Sequence, residues 1–107
     1  MRDPKAFAVY IMTNTRRGVL YVGMTSDLPG RVWKHREGVL PGFTREWGLK
    51  RLVWYEAHDC AEGAIAREKR IKRWRRQWKF ELIEAVNPEW DDLWPEITGQ
   101  LVGPPLV

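Results

Sequence analysis

The runs Val9-Tyr10-Ile11 and Tyr21-Val22-Gly23, separated by Thr13-Asn14-Thr15-Arg16-Arg17-Gly18, decide how this chain is read. Each run alternates apolar or β-branched residues with a tyrosine, and the segment between them is rich in turn formers. Residues 7–13 and 19–24 therefore read as the strands of a β-hairpin with one tyrosine on each. Arg31 and His35 follow, then Glu68 much later. Two phenols, a guanidinium and a carboxylate form an unusual polar set for a small core, and they match what cleavage of a phosphodiester needs.

Outward from the hairpin, Thr25-Ser26-Asp27 offers N-caps and Pro29 suits a first helical turn, so a helix is expected from Leu28 to Glu37, ending at Gly38. Gly30 weakens the start of that helix. Residues 39–50, with Pro41, Gly42 and Gly48, read as a loop, and Arg51-Leu52-Val53-Trp54-Tyr55-Glu56 as a third strand. A long helical pattern runs from Ala61 to about Ala85. Its apolar phase shifts between Arg73 and Gln77, which predicts a break there, and Asn87-Pro88 stops it. Asp91 to Trp94 suggests a last turn. The fold class is α/β: a small three-stranded antiparallel sheet flanked by helices, with a domain over residues 1–94 and a flexible tail over 95–107.

The chain has 107 residues, 44% hydrophobic and 30% charged, which suits one soluble domain. No stretch approaches the roughly 20 apolar residues of a spanning helix, and the N-terminus lacks a secretory pattern. A single cysteine, Cys60, excludes an internal disulfide and suits a reducing cytoplasm. One Cys and two His do not supply a structural zinc tetrad. The net charge of +4 conceals an asymmetry. Residues 1–79 hold all 18 Lys and Arg and 8 of the 14 acids, a balance of +10, while residues 80–107 hold six acids and no base. The basic lobe is the footprint of a polyanion binder.

At about 100° per residue, Ala64, Ile65, Glu68, Ile71 and Lys72 share one helix face, which sets Glu68 inside an apolar stripe. A structural ion pair with an arginine of the first helix and a functional carboxylate satisfy that position equally well. Arg31 and His35 lie four apart on one face, beside Leu28 and Val32. Taken singly, each of these residues has an ordinary explanation: strand packing for the tyrosines, a surface charge for Arg31, a backbone-bonded histidine for His35. The span from Arg67 to Lys79 carries eight basic residues with Trp74 and Trp78. Arg67, Arg70, Lys72, Arg73, Arg75 and Arg76 are its candidates for phosphate contact. Small domains bury aromatics, so the two tryptophans are expected in the core.

In order, the set resembles the GIY-YIG nuclease family. Tyr10 and Tyr21 stand at the tyrosines of the two half-motifs, Val9 replaces the first glycine, Val22 the second isoleucine, and Gly23 is the closing glycine, expected as a structural turn. Arg31, His35, Glu68 and Asn87 follow at the family's positions. Pro41-Gly42-Phe43-Thr44, Ala64 to Lys69 and Asn87 to Trp90 are similar to stretches of the small stand-alone bacterial members. Met24 departs from the lysine of the excision-repair branch, and Arg73 stands where relatives often carry glycine.

The resemblance implies catalysis by Tyr10, Tyr21, Arg31, His35, Glu68 and Asn87. Glu68 would be the ligand of one Mg²⁺ or Mn²⁺ whose other ligands are water and substrate oxygens. Arg31 would clamp the phosphate. Tyr10 would serve as general base, its phenolate favoured by the guanidinium and the metal, although Tyr21 or His35 could exchange roles with it. Asn87 would act in the site or only organise its turn. The implied function is metal-dependent cleavage of nucleic acid, with DNA in repair or recombination as the expected substrate and with a protein partner supplying specificity. The rivals are a non-catalytic nucleic-acid-binding module and an adaptor that uses the acidic C-terminal third to dock a basic partner.

Overall fold

Strand β1 (Phe7–Thr13) is buried along almost its whole length because it is the middle strand of a sheet covered on both faces. The computed structural model describes residues 6–99. Strands β1, β2 (Leu20–Thr25) and β3 (Arg51–His58) form one antiparallel sheet in the order β2-β1-β3. Alternation along β1 divides the interior in two. Val9 and Ile11 join Val22, Val53, Ala64, Ile71, Phe80, Ile83 and Trp90 on one face, whereas Tyr10 and Met12 join Val32, Leu49 and Leu52 on the other. A register shift after Ile11 turns Val53 and Trp54 into the same cluster.

Helix α1 (Leu28–Glu37) covers the Tyr10 face. Asp27 caps it by accepting from the Gly30 amide at 3.1 Å, so the glycine sits where the cap folds over it. Gly38 ends it in the left-handed conformation, φ 70°. Residues 39–50 are not all loop: α2 (Phe43–Glu46) is a single turn, too short to leave a periodic signal. On the other face lie α3 (Ala61–Arg73) and α4 (Arg76–Val86), separated by Trp74 and Arg75, whose ψ angles are 149° and 156°. The break lies inside the expected interval. Strand β3 runs two residues past Glu56, and β2 is shifted one residue late.

The expected tail does not begin at residue 95. α5 (Trp94–Thr98) packs on α1, with Trp94 under the Arg36 guanidinium, 4.9 Å from the ring centre; residues 100–107 of that expectation lie outside the described residues. The acidic segment that leads there is engaged within the domain. Glu84 receives a two-pronged pair from Arg17 at 2.9 Å, held well below the carboxylate range at about 2 by the Arg17 hydrogen bond and then that of Trp90. Asp92 pairs with Arg36 and accepts from the Leu52 amide, and Glu89 lies 3.8 Å from Arg16. Three of the six C-terminal acids are thus paired within the domain, while Glu81, Asp91, Glu96 and the paired Glu89 remain exposed. Among the described residues, no helix is long and apolar enough to cross a membrane.

Candidate active site

The β1–β2 register sets Tyr10 opposite Gly23 and Met12 opposite Tyr21, so both phenols rise from the α1 face as diagonal neighbours. Their ring centres are 6.2 Å apart. Gly23 is not a turn residue. It sits inside β2 with the Tyr10 ring lying across it, and a Cβ there would stand 2.6 Å from both the Tyr10 Cζ and its hydroxyl oxygen. A strand glycine here marks a close approach.

Helix α1 brings Arg31 and His35 over the same face, as their four-residue spacing requires. His35 is buried, 3% exposed. Its Nε2 is 2.9 Å from the Tyr10 hydroxyl and its Nδ1 is 3.0 Å from Oγ1 of Thr44, which α2 supplies from the far side. The imidazole is thus held by two side chains rather than by backbone. Thr44 is itself buried; it lies in the Pro41–Thr44 stretch that resembles relatives, but a threonine nine residues beyond a histidine carries no helical or strand spacing that would pair the two.

Burial, then the Arg31 charge, lowers His35 to about 4. Burial, then the neighbouring Tyr21, pushes the Tyr10 phenol above its ordinary value despite the opposing pull of Arg31. The expectation of a phenolate favoured by the guanidinium is therefore reversed in the protein alone: desolvation outweighs the charge. Both groups are neutral near pH 7, and two arrangements fit their contacts. Either Nδ1–H donates to Thr44 while Nε2 accepts the Tyr10 O–H, or Nε2–H donates to Tyr10 while Thr44 donates to Nδ1.

Glu68 comes from the helix that packs on the sheet's other face. α3 buries Ala64 and Ile71 in the cluster opposite the tyrosines, with Ile65 and Lys72 turned outward, so the buried stripe is narrower than its sequence period suggested. The Glu68 carboxylate is 18% exposed and pairs with Lys72 at 3.0 Å, one turn along its own helix rather than with α1. The gathered set is Tyr10, Tyr21, Arg31 and His35; Glu68 is carried by the helix under the other face, where α3 runs beneath β1 and the open edge strand β2.

Asn87 organises the turn after α4. Its amide nitrogen donates to the Val53 and Asp91 carbonyls, both at 3.0 Å, and its oxygen accepts from the Asp91 amide. With both N–H groups spent on backbone, no donor remains for a substrate. Two members of the basic series are also committed elsewhere. Arg67 pairs with Glu56 at 2.9 Å and lies over Trp54 and Trp74; Arg76 donates to the carbonyls of Arg17 and Gly18 and holds the hairpin turn. Arg70, Lys72, Arg73 and Arg75 are exposed. Trp74 is only partly buried against the core, and Trp78 is 48% exposed, so the expectation of two core tryptophans fails at Trp78.

The model of the GIY-YIG catalytic domain matches residues 6–81. The chain belongs to the GIY-YIG family. Among relatives of this GIY-YIG domain, a UPF0213 protein of Staphylococcus saprophyticus is 35% identical over 75 residues, 70% of this chain and 90% of the relative. A UPF0213 protein of Haloquadratum walsbyi is 37% identical over 65 residues, 61% of this chain and 73% of that one. The solution NMR structure of a UPF0213 protein from Bacillus halodurans superposes with a TM-score of 0.51 and 30% identity, covering 80% of this chain and 90% of that one. The match to the GIY-YIG domain spans the hairpin, α1 and α3 and stops before Asn87.

Proposed function

We propose that this GIY-YIG domain hydrolyses phosphodiester bonds of nucleic acid, DNA in the first instance, at the face of Tyr10, Tyr21, Arg31 and His35. The observation that supports it best is the buried Tyr10–His35–Thr44 chain with Arg31 and Tyr21 beside it. A planar guanidinium matches two phosphate oxygens. Arg31 clamps the scissile phosphate, and Tyr21, half-buried, positions it. Tyr10 stays a neutral phenol that takes a proton from the attacking water while passing its own to Nε2 of His35. This direction requires the tautomer with Nδ1–H on Thr44. The phosphate's negative charge, set beside Arg31, offsets the repulsion that otherwise disfavours the imidazolium.

The proposed cofactor is one Mg²⁺ or Mn²⁺. Among the described residues, no group of three His, Cys, Asp or Glu side chains converges to cage an ion. The donor set suits an ion held by Glu68 alone, with water and substrate oxygens completing the shell. The carboxylate already holds a cation, the Lys72 ammonium, which the ion would displace. When bound, such an ion neutralises phosphate charge and acidifies water. For one phosphate to meet both Arg31 and the Glu68-held ion, it would have to pass the edge strand β2, which α3 contacts and which carries Tyr21 and Gly23.

The test is cleavage of branched, nicked and single-stranded DNAs with Mg²⁺ or Mn²⁺. Tyr10→Phe removes only a hydroxyl and should lower turnover by ~10²-fold or more, with binding unchanged. Arg31→Ala should reduce both turnover and affinity. Wild-type turnover in Tyr10→Phe would refute the role of the phenol.

A further inference from the structure

The break between α3 and α4 leaves a feature that the catalytic face does not use. Extended backbone at Trp74 and Arg75 sets the two indoles edge to face, ring centres 6.2 Å apart at 78°. With Glu81 and Leu82 they line a shallow, open cleft. The Arg75 guanidinium lies 5.1 Å from the Trp78 ring centre, and Arg70 and Arg73 are exposed on the last turn of α3. The cleft thus has two indoles and one carboxylate in its lining, with Trp78 half-exposed and the Arg75 cation held against its ring.

We propose that the Trp74–Trp78 cleft binds an unpaired nucleobase of a single-stranded segment. The base stacks on Trp78, the flanking phosphates meet Arg73 and Arg75, and Glu81 accepts a hydrogen bond from an exocyclic amino group. Stacking on an aromatic side chain needs a base with a free face, which a duplex does not offer. A carboxylate is the natural acceptor for an amino group such as cytosine N4. An acidic side chain, the other ligand that the arginines would attract, offers no flat π-face to stack on Trp78. The inference rests on the nucleic-acid reading above and extends it to substrates with an unpaired strand.

The test is fluorescence anisotropy of labelled ten-nucleotide oligo-dC and oligo-dT and of a matched duplex, with EDTA present so that binding is read without turnover. Trp78→Ala should weaken single-strand binding about 5- to 100-fold, and duplex binding, governed by phosphates, should change less than about 2-fold. Trp78→Phe should retain most of the single-strand affinity, which separates loss of stacking from loss of fold. Glu81→Ala should narrow the preference for oligo-dC over oligo-dT. Equal losses on single strand and duplex, or no loss in Trp78→Ala, overturn the cleft assignment and leave the nucleic-acid reading standing. Wild-type protein that binds neither form overturns both. Polyglutamate that competes as well as oligo-dC at equal charge gives the cleft to an acidic protein segment instead.

Discussion

Acidification should destabilise this domain through one buried imidazole. His35 has a pKa of about 4 in the folded chain against 6.5 as a free side chain, because burial and then Arg31 disfavour its charged form. Between those values the unfolded chain binds more protons, so stability falls as pH falls from above 6.5 toward 4. Linkage gives a loss of about 2 kcal/mol between pH 7 and pH 5, and about 3 kcal/mol once both states are protonated. The shifted carboxylates leave the upper part of this window clear. Glu56 is pushed up by burial but lowered overall by the Arg67 and His58 hydrogen bonds, and Glu84 sits at about 2, so both add their losses below about pH 5. Urea unfolding followed by circular dichroism at half-unit pH steps measures the slope, with His35→Gln as the control that removes it. NMR titration of the two imidazoles, with His58→Gln to assign them, reads the His35 midpoint directly. An unchanged slope in His35→Gln, or a His35 midpoint near 6.5, would refute a dry, Arg31-facing imidazole.

Thr44→Val keeps the shape of α2 but leaves a buried ring nitrogen without its partner, so stability should drop by about 1–3 kcal/mol in thermal or urea unfolding. Under the proposed mechanism kcat should fall with little change in KM, because only the tautomer is disturbed. Gly23→Ala drives a methyl group into the Tyr10 phenol and should cost about 1–3 kcal/mol by overpacking, with Tyr10 displaced in the NMR spectrum; an unchanged melting curve would contradict the close approach. Glu68→Gln should keep the fold and lose metal-stimulated cleavage, and a wild-type rate would make the carboxylate a structural partner of Lys72. Replacing Arg70 and Arg73 together should flatten the log affinity against log salt slope by about one to two units; an identical slope would move the phosphate contacts off α3.

Local periodicity determined a great deal by itself. The hairpin, the helix from Leu28 to Glu37, the break after Arg73 and the halt at Asn87 all follow from period, caps and turn residues, which act over a few positions and so can be read in order along the chain. The pairing of Tyr10 with Tyr21 on one face follows from strand alternation once the hairpin is granted, and Arg31 with His35 from helical spacing. Contacts across long separations were decided only by the fold. Thr44 reaches His35 because a single turn of helix docks under α1. Asn87 spends one donor on Val53, and Arg67 spends its charge on Glu56, because β3 presents those groups. Glu68 read correctly as a carboxylate in an apolar stripe, yet the stripe faces the sheet's other side, since a helical period says which face is buried and not what it is buried against. Trp78 stays half outside for the same reason: hydrophobicity marks it for burial, and the direction of the kink at Trp74–Arg75, a tertiary choice, turns it toward solvent.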